Sequence, residues 1–271
     1  VSRPDLDIGV IYTHERQYLG PLLESLAASH DGVLARLILV DNASHDGVSC
    51  WSKLFTPTTI VCNDRRMTYA ENLNRILLNS TARYVLLLNT DMYFDPQVQC
   101  LSAMVRFLDG HPACGLAGCR LLHSDESEAY AARRFQSWRV ALARRGGLGR
   151  WMQRTVGEYL YQERGVRETF PCDWLSGCFL MLRREAWRQV GFFDTAFYKY
   201  FEDVDYCLRI WQAGWDVMYY GGTHCYHLEQ RASRRLISGD AWQHARSYVR
   251  WLRKWGTSPQ VARGSNMRRA A

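Results

Sequence analysis

The chain sets carboxylates where carboxylates do chemistry. In "RYVLLLNTDMYFDP" (83–96) an apolar run stops abruptly at Asn89-Thr90-Asp91. An acid at a strand tip can cap the next helix, hydrogen-bond a ribose or a base, or ligate a hard cation. Asp95 and Pro96 already suit the N-cap and first position of the following helix, which leaves Asp91 for another role. A second strand tip, "LILVDNAS", carries Asp41, with Asn42, Ser44 and Asp46 behind it; that spacing reads best as a cap cluster. Further on, "FEDVDYC" supplies Glu202, Asp203 and Asp205. A helix dipole favours acids in its first turn by about 0.3–1 kcal/mol each. Three of them behind the aromatic "TAFYKY" exceed what a cap requires, and one with a tuned pKa is a candidate for proton abstraction. "GGTHCYHLEQRAS" places His224 and His227 on or just after a strand. A lone histidine is usually structural, but one beside a strand-tip aspartate completes a divalent-cation site. There is neither a GxxxxGK[ST] loop nor a GxGxxG turn, so a bound phosphate calls for a cation rather than a glycine-rich cradle.

The elements that position these groups follow from periodicity. "DIGVIYTH" (7–14), "ARLILVDN" (35–42), "TTIVCN" (58–63), "RYVLLLN" (83–89) and "CGLAGCRLL" (114–122) are near-continuous apolar runs, as expected of strands buried on both faces. Helical patterns alternate with them: "RQYLGPLLESLAASH", "YAENLNRILLNS" and "DPQVQCLSAMVRFLDG", the last running from Asp95 to Gly110. The result is an α/β fold with a mostly parallel sheet flanked by helices. In such sheets ligands bind beyond the carboxyl ends of the strands, where Asp41 and Asp91 stand. Residues 124–170 break the rhythm with a basic, partly helical excursion. "CDWLSGCFLMLRREAW" resumes as strand then helix, "EDVDYCLRIWQAGW" predicts a helix stopped at Gly214, and "DVMYYGG" a strand. "GDAWQHARSYVRWLRKWG" is amphipathic, with Trp242, Ala245, Val249 and Leu252 expected to face inward. The expected division is 1–123 for an α/β half, 124–170 for the excursion, 171–235 for a second half with the acidic cluster and His227, and 236–271 for a C-terminal helix and tail.

Bulk properties narrow the class. A chain of 271 residues, 47% hydrophobic and 23% charged, buries a sizeable core. No apolar run reaches the ~18 residues of a membrane span, and no signal peptide is visible. Of nine scattered cysteines without a CxxC pair, most sit inside apolar runs and read as buried, reduced thiols, which points to the cytoplasm and away from zinc. The net charge of +7 is concentrated in the arginines of 131–154 and near the C-terminus. A basic binding module for anionic lipid or nucleic acid is one reading of that excess, yet acids at the sheet edge would repel a polyanion.

Five motifs in order resemble the large inverting glycosyltransferase family 2, of GT-A fold, and within it bacterial rhamnosyltransferase-like members. They are "VIYTHER", "LILVDNASHDG", "YVLLLNTDMYFDP", "DWLSGCFLMLRREAWRQVGFFDTAFYKYFEDVDYCLRIWQAGW" and "HLEQRAS", spread over residues 7–235. The resemblance implies that Thr13, Glu15, Asp41, Asn42 and Asn72 contact the nucleotide of a sugar donor. Asp91 and His227 would hold Mg2+ or Mn2+, and Arg231 would assist at the donor diphosphate. Asp203 would be the general base with Glu202 beside it, and Trp174 part of the acceptor wall. The implied partners are a nucleotide-sugar donor, a glycan or lipid-linked glycan acceptor, and an anionic membrane met peripherally at the inner face; nucleic acid is not expected. The chain departs from the family's DxD motif by carrying an amide, Asn89, at the first position, and has "RRMTYAEN" where many members have a glycine-rich turn. A sugar-nucleotide nucleotidyltransferase is the alternative enzyme, but "IYTHERQYLG" lacks the glycine-rich basic loop a triphosphate requires.

Overall fold

The apolar runs of the first 90 residues become parallel strands β1 (Leu6–Tyr12), β2 (Ala35–Asp41), β3 (Thr58–Cys62) and β4 (Tyr84–Leu88), with β1 between β2 and β4. Nearly every residue of β1, β2 and β4 is buried, as runs without alternation require. Helices α1 (Arg16–Ala28) and α2 (Tyr69–Asn79) connect them. A capping box starts α2: the Thr68 side chain accepts from the Glu71 N–H, and the Glu71 carboxylate accepts from the Thr68 N–H. This computed structural model describes residues 4–29, 32–136, 140, 152–228, 239–257 and 259.

The second half adds β5 (Met92–Tyr93), α3 (Cys100–Gly110), β6 (Cys114–Leu122), β7 (Ala132–Arg133), α4 (Gln153–Tyr159), β8 (Thr169–Pro171) and β9 (Trp174–Leu175). Then come β10 (Phe179–Arg183), α5 (Arg184–Val190), α6 (Glu202–Gln212), β11 (Asp216–His227) and α7 (Gly239–Trp255). The main sheet runs β3-β2-β1-β4-β10-β6-β11-β5, with β8 on β11; β7 and β9 form a separate ribbon. β10 is antiparallel to both β4 and β6, so the sheet is parallel in its first half and mixed beyond. That inversion matters for the site. It brings the start of β10, just after Gly177 and Cys178, to the edge where β4 ends, and the Asn89 N–H donates to the Cys178 carbonyl at 3.2 Å.

Two expectations fail here for physical reasons. The helix after Asp91 begins at Cys100, with Gln99 as its N-cap, not at Asp95. Asp95 instead turns the chain locally, its Oδ1 accepting from the Gln97 N–H at 2.9 Å. The C-terminal helix α7 packs by its other face. Trp242 and Val249 are 63% and 46% exposed, while Trp251 and Ser247 are buried. Specific partners outweigh the apolar stripe: Trp255 Nε1 donates to buried Asp205 at 2.8 Å, Lys254 Nζ lies 2.7 Å from the same carboxylate, and Trp251 meets Phe201 at 6.2 Å between centroids. Asp205 also accepts from Arg209 Nε at 2.9 Å, so the third acid of "FEDVD" is structural and clamps α7 to α6.

Candidate active site

The short β5–β11 pairing decides where Asp91 lies. His227 sits opposite Met92 in the ladder, and the Leu228 N–H donates to the Asp91 carbonyl at 2.8 Å. Asp91 Oδ2 and His227 Nε2 are thereby 3.4 Å apart, at 17% and 13% side-chain exposure. Two donor atoms of an octahedron built on bonds of about 2.1 Å stand about 3 Å apart, and a carboxylate oxygen with an imidazole nitrogen is a donor pair that Mn2+ or Mg2+ accepts. The residues therefore fit the divalent ion. The one cluster of three metal-capable groups among the described residues is Cys100, Cys119 and Cys225, and all three are buried. His224, the other histidine of the motif, rests edge-on against Tyr226.

The acid pair comes from the N-terminus of α6. Tyr200 and Phe201 both have φ of 71°, a left-handed turn that swings the chain into the helix. Asp203 then points at the β9–β10 connection, where Oδ2 accepts from the Gly177 N–H at 2.9 Å; Oδ1 accepts from the Val204 N–H at 2.8 Å. Glycine at position 177 allows this approach without displacement, since a Cβ there would stand a tight 3.2 Å from Asp203 Oδ2. Burial raises the Asp203 carboxyl above its ordinary range, opposed by the Gly177 and Val204 N–H groups and the charge of Arg133. Burial, and then the neighbouring Asp203, push Glu202 up to about 8, and its buried Oε2 has no hydrogen-bond partner. Two adjacent carboxyls thus share a site with one charge favoured between them: Asp203, with two N–H donors, takes the charge and Glu202 keeps the proton.

Tyr69 joins the two halves. Its hydroxyl donates to Asn89 Oδ1 at 2.9 Å and lies 3.3 Å from the Gly177 carbonyl. Burial first, then the negative fields of Glu202, Cys178, Asp203 and Asp91, hold its proton well above the usual tyrosine range. The charges of Asp91 and Asp203 thus both reach this hydroxyl, and the amide at the first position of the "NTD" tip is turned inward to Tyr69.

The expected nucleotide residues gather at the carboxyl ends of β1, β2 and β3 but divide in kind. Glu15 Oε2 accepts from the Thr13 and His14 N–H groups at 2.8 and 3.0 Å, shaping the loop after β1. Asp41 caps no helix: its Oδ1 accepts from the Ser44 N–H at 2.9 Å and holds the loop after β2. Asp46 receives the Tyr12 hydroxyl at 2.6 Å and pairs with His14 at 3.1 Å, tying these two loops together. Asn42 and Asn72 are buried, and Asn63 Nδ2 donates to both, at 3.1 and 2.7 Å. Their remaining groups bind the backbone of Met67 and Thr68, so this asparagine network ties the ends of β2 and β3 to the start of α2.

On the opposite flank Trp174 is 7% exposed, its indole N–H donating to the Arg134 carbonyl at 2.8 Å. The Arg133 guanidinium lies over its ring at 4.9 Å. The surface offered there belongs to Arg133, backed by Trp174. Arg231 lies outside the described residues, as does "RRGGLGR". Sequence reading missed Tyr69, Gly177 and Arg133. Gly177 was legible as the lone glycine of "WLSGC"; Tyr69 and Arg133 carry no local signal, because their roles depend on strands brought together from afar.

Comparison with known proteins gives the family and the fold. The family description "Glycosyl transferase family 2" matches residues 7–191, and "Glycosyltransferase (GlcNAc)" matches 120–263. The chain is 28% identical over 251 residues to the N-acetylglucosaminyl-diphospho-decaprenol L-rhamnosyltransferase of Mycobacterium tuberculosis, covering 85% of this chain and 80% of that protein. It is 32% identical over 80 residues, 30% of each chain, to the rhamnosyltransferase WbbL of Escherichia coli. The mannosyltransferase PcManGT from Pyrobaculum calidifontis, solved with GDP-Man and Mn2+, superposes with a TM-score of 0.63 at 18% identity, over 96% of this chain and 66% of that one. GalNAc-T7, solved with UDP, GalNAc and Mn2+, superposes with a TM-score of 0.65 at 12% identity, over 93% and 49%. The fold is GT-A-like. Since the family match runs from β1 through α5, well over half of the chain, this protein belongs to glycosyl transferase family 2.

Proposed function

We propose that this glycosyltransferase moves rhamnose, with inversion, from a nucleoside-diphosphate sugar to a hydroxyl of a lipid-linked glycan used for cell-surface polysaccharide. The observation that carries the reading is the approach of Asp91 and His227 to 3.4 Å, with the charges of Asp91 and Asp203 both reaching the Tyr69 hydroxyl. The sugar and acceptor rest on the rhamnosyltransferase relatives. Residues 1–123 hold the donor in this reading, and 171–235 present the acceptor.

Asp91 and His227 would hold Mg2+ or Mn2+, which when bound offsets the charge that gathers on a departing diphosphate. The loops shaped by Glu15, Asp41 and Asp46 seat the base and ribose. Asp203, ionised and aimed by the Gly177 N–H, takes the proton of the acceptor hydroxyl as its oxygen forms the bond to the anomeric carbon. The carbon–oxygen bond to the diphosphate breaks on the opposite face, so one displacement inverts the configuration. Glu202, still protonated, donates to an acceptor hydroxyl and orients it.

A thermal-shift screen of nucleoside diphosphates and nucleotide sugars, with and without Mn2+, tests this. The right donor at a hundred times its Kd should raise Tm by about 5–10 °C, and only with the ion. A chain shifted by no nucleotide under either condition would overturn the reading. Release of pyrophosphate from a triphosphate, instead of nucleoside diphosphate, would establish the nucleotidyltransferase alternative.

A lipid-linked acceptor requires contact with a membrane surface, and no helix among the described residues is long and apolar enough to cross one. The outward face of α7 suits such contact. Trp242 and Val249 stand exposed there among Arg246, Arg250 and Arg253, around an open groove. We place the enzyme at the cytoplasmic face of the membrane. Co-sedimentation should rise with the anionic lipid content of vesicles and fall when Trp242 and Arg250 are both replaced by Ala. Binding indifferent to lipid charge would rule this surface out.

A further inference from the structure

Arg133 and Arg134 are adjacent, yet the fold treats them oppositely. Arg134 is fully engaged: it bonds the Glu158 carbonyl, pairs with Glu163 and lies over the Tyr161 ring at 4.0 Å. Arg133 forms no ion pair among the described residues. Its guanidinium is spread over Trp174 at 4.9 Å, and its buried Nε–H meets no acceptor. A buried, unsatisfied guanidinium N–H is costly, and in a native protein it asks for an explanation such as an absent ligand.

The backbone fixes this group relative to the base. Arg133 pairs with Trp174 in the β7–β9 ribbon, and the Ser176 N–H donates to the Ala131 carbonyl at 3.0 Å. The next residue, Gly177, holds Asp203. The ribbon thus carries Arg133 and the clamp on Asp203 as one unit, and the charge of Arg133 reaches Asp203 and Cys178. In the proposed reading the donor diphosphate has its own anchor, at Asp91 and His227. An arginine plated on an aromatic ring is weakly hydrated, permanently charged and shaped for two phosphate oxygens.

We propose that Arg133, backed by Trp174, is the anion-binding residue of the acceptor subsite, receiving the diphosphate that links the acceptor sugar to its lipid. The proposal rests on the lipid-linked acceptor reading above. It gives the enzyme a means of recognising that acceptor by its charge.

Two acceptors sharing one sugar test it: N-acetylglucosaminyl diphosphate on a short prenyl chain, and the neutral octyl glycoside of N-acetylglucosamine. Wild type should favour the diphosphate by KM. In Arg133→Gln the KM for the diphosphate acceptor should rise about 10–100-fold, with the donor KM and the neutral-acceptor KM unchanged, and Arg133→Lys should recover part of the loss. The donor-induced Tm shift, measured on each variant, checks that the fold and donor site are intact. Equal losses on both acceptors would mean that Arg133 only tunes Asp203, and a rise confined to the donor KM would move it to the donor side; either overturns the proposal. Wild type using both acceptors with one KM removes the anion subsite and leaves the glycosyltransferase reading standing. Transfer to neither acceptor, with the donor still bound, defeats the acceptor reading and the subsite together.

Discussion

Asp203→Asn should bind the sugar donor as wild type does and transfer almost none of it. The amide keeps the size of the side chain and one oxygen for the Gly177 N–H, so the loop that carries Gly177 stays in place. What disappears is the basic oxygen. A positioned general base contributes about 10²–10⁴-fold, and a loss of that order in kcat is expected with the donor KM unchanged. The pH profile provides a second reading. Burial raises the Asp203 carboxyl, so its proton is held at pH values where exposed carboxylates have lost theirs. Wild-type kcat/KM should therefore fall on acidification, beginning above the ordinary carboxylate range, whereas the residual rate of the Asn variant should show no such limb. Glu202, raised to about 8, stays neutral across that range. Glu202→Gln should keep the acidic limb, because the limb belongs to Asp203. Its Tm should exceed that of wild type increasingly as pH rises toward 8: between the unfolded and the folded pKa the unfolded chain releases this proton while the fold still holds it, and stability is lost progressively over that range. Near wild-type turnover in Asp203→Asn would remove it as the base.

Asp91→Asn should lose the donor itself. The motif offers a single carboxylate here, because Asn89 is turned inward to the Tyr69 hydroxyl at 2.9 Å. Replacing that one acid leaves His227 as the protein's remaining ligand in this pair. Metal-borne charge stabilisation is worth several kcal/mol, so kcat/KM should fall by at least about 10²-fold, and excess Mn2+ should restore only part of it. Removing the ion from wild type with a chelator should reproduce the defect. Full activity of Asp91→Asn at low Mn2+ would show that the ion, if used, is held elsewhere.

Much of this was legible in the residues. Apolar runs without alternation foretold buried strands, and β1, β2, β4 and β6 lie buried where those runs lie, whereas β3, at the sheet edge, is only half-buried. Gly214, at φ 86°, ends α6 as a residue free to turn left-handed should. Asp91 and Asp203 were legible because a strand tip and a helix N-terminus are marked locally. Three things were not. The antiparallel insertion of β10 depends on a pairing with a strand far off in sequence, and periodicity is blind to direction. The helix after Asp91 starts later than Asp95 because an Asp-Pro pair serves a turn as readily as a helix start. The face of α7 was misread because hydrophobicity is only one claimant for the interior. Asp205 needed cations and an indole N–H, and the residues supplying them drew their side of the helix inward.

Electron paramagnetic resonance of Mn2+ in the presence of a nucleoside diphosphate is the most direct measurement. One nucleotide-dependent Mn2+ per chain is expected in wild type and in Asp203→Asn, with its loss in Asp91→Asn and in His227→Ala. Equal Mn2+ and nucleotide binding in all four proteins would contradict a cation held by that aspartate and histidine beside the base.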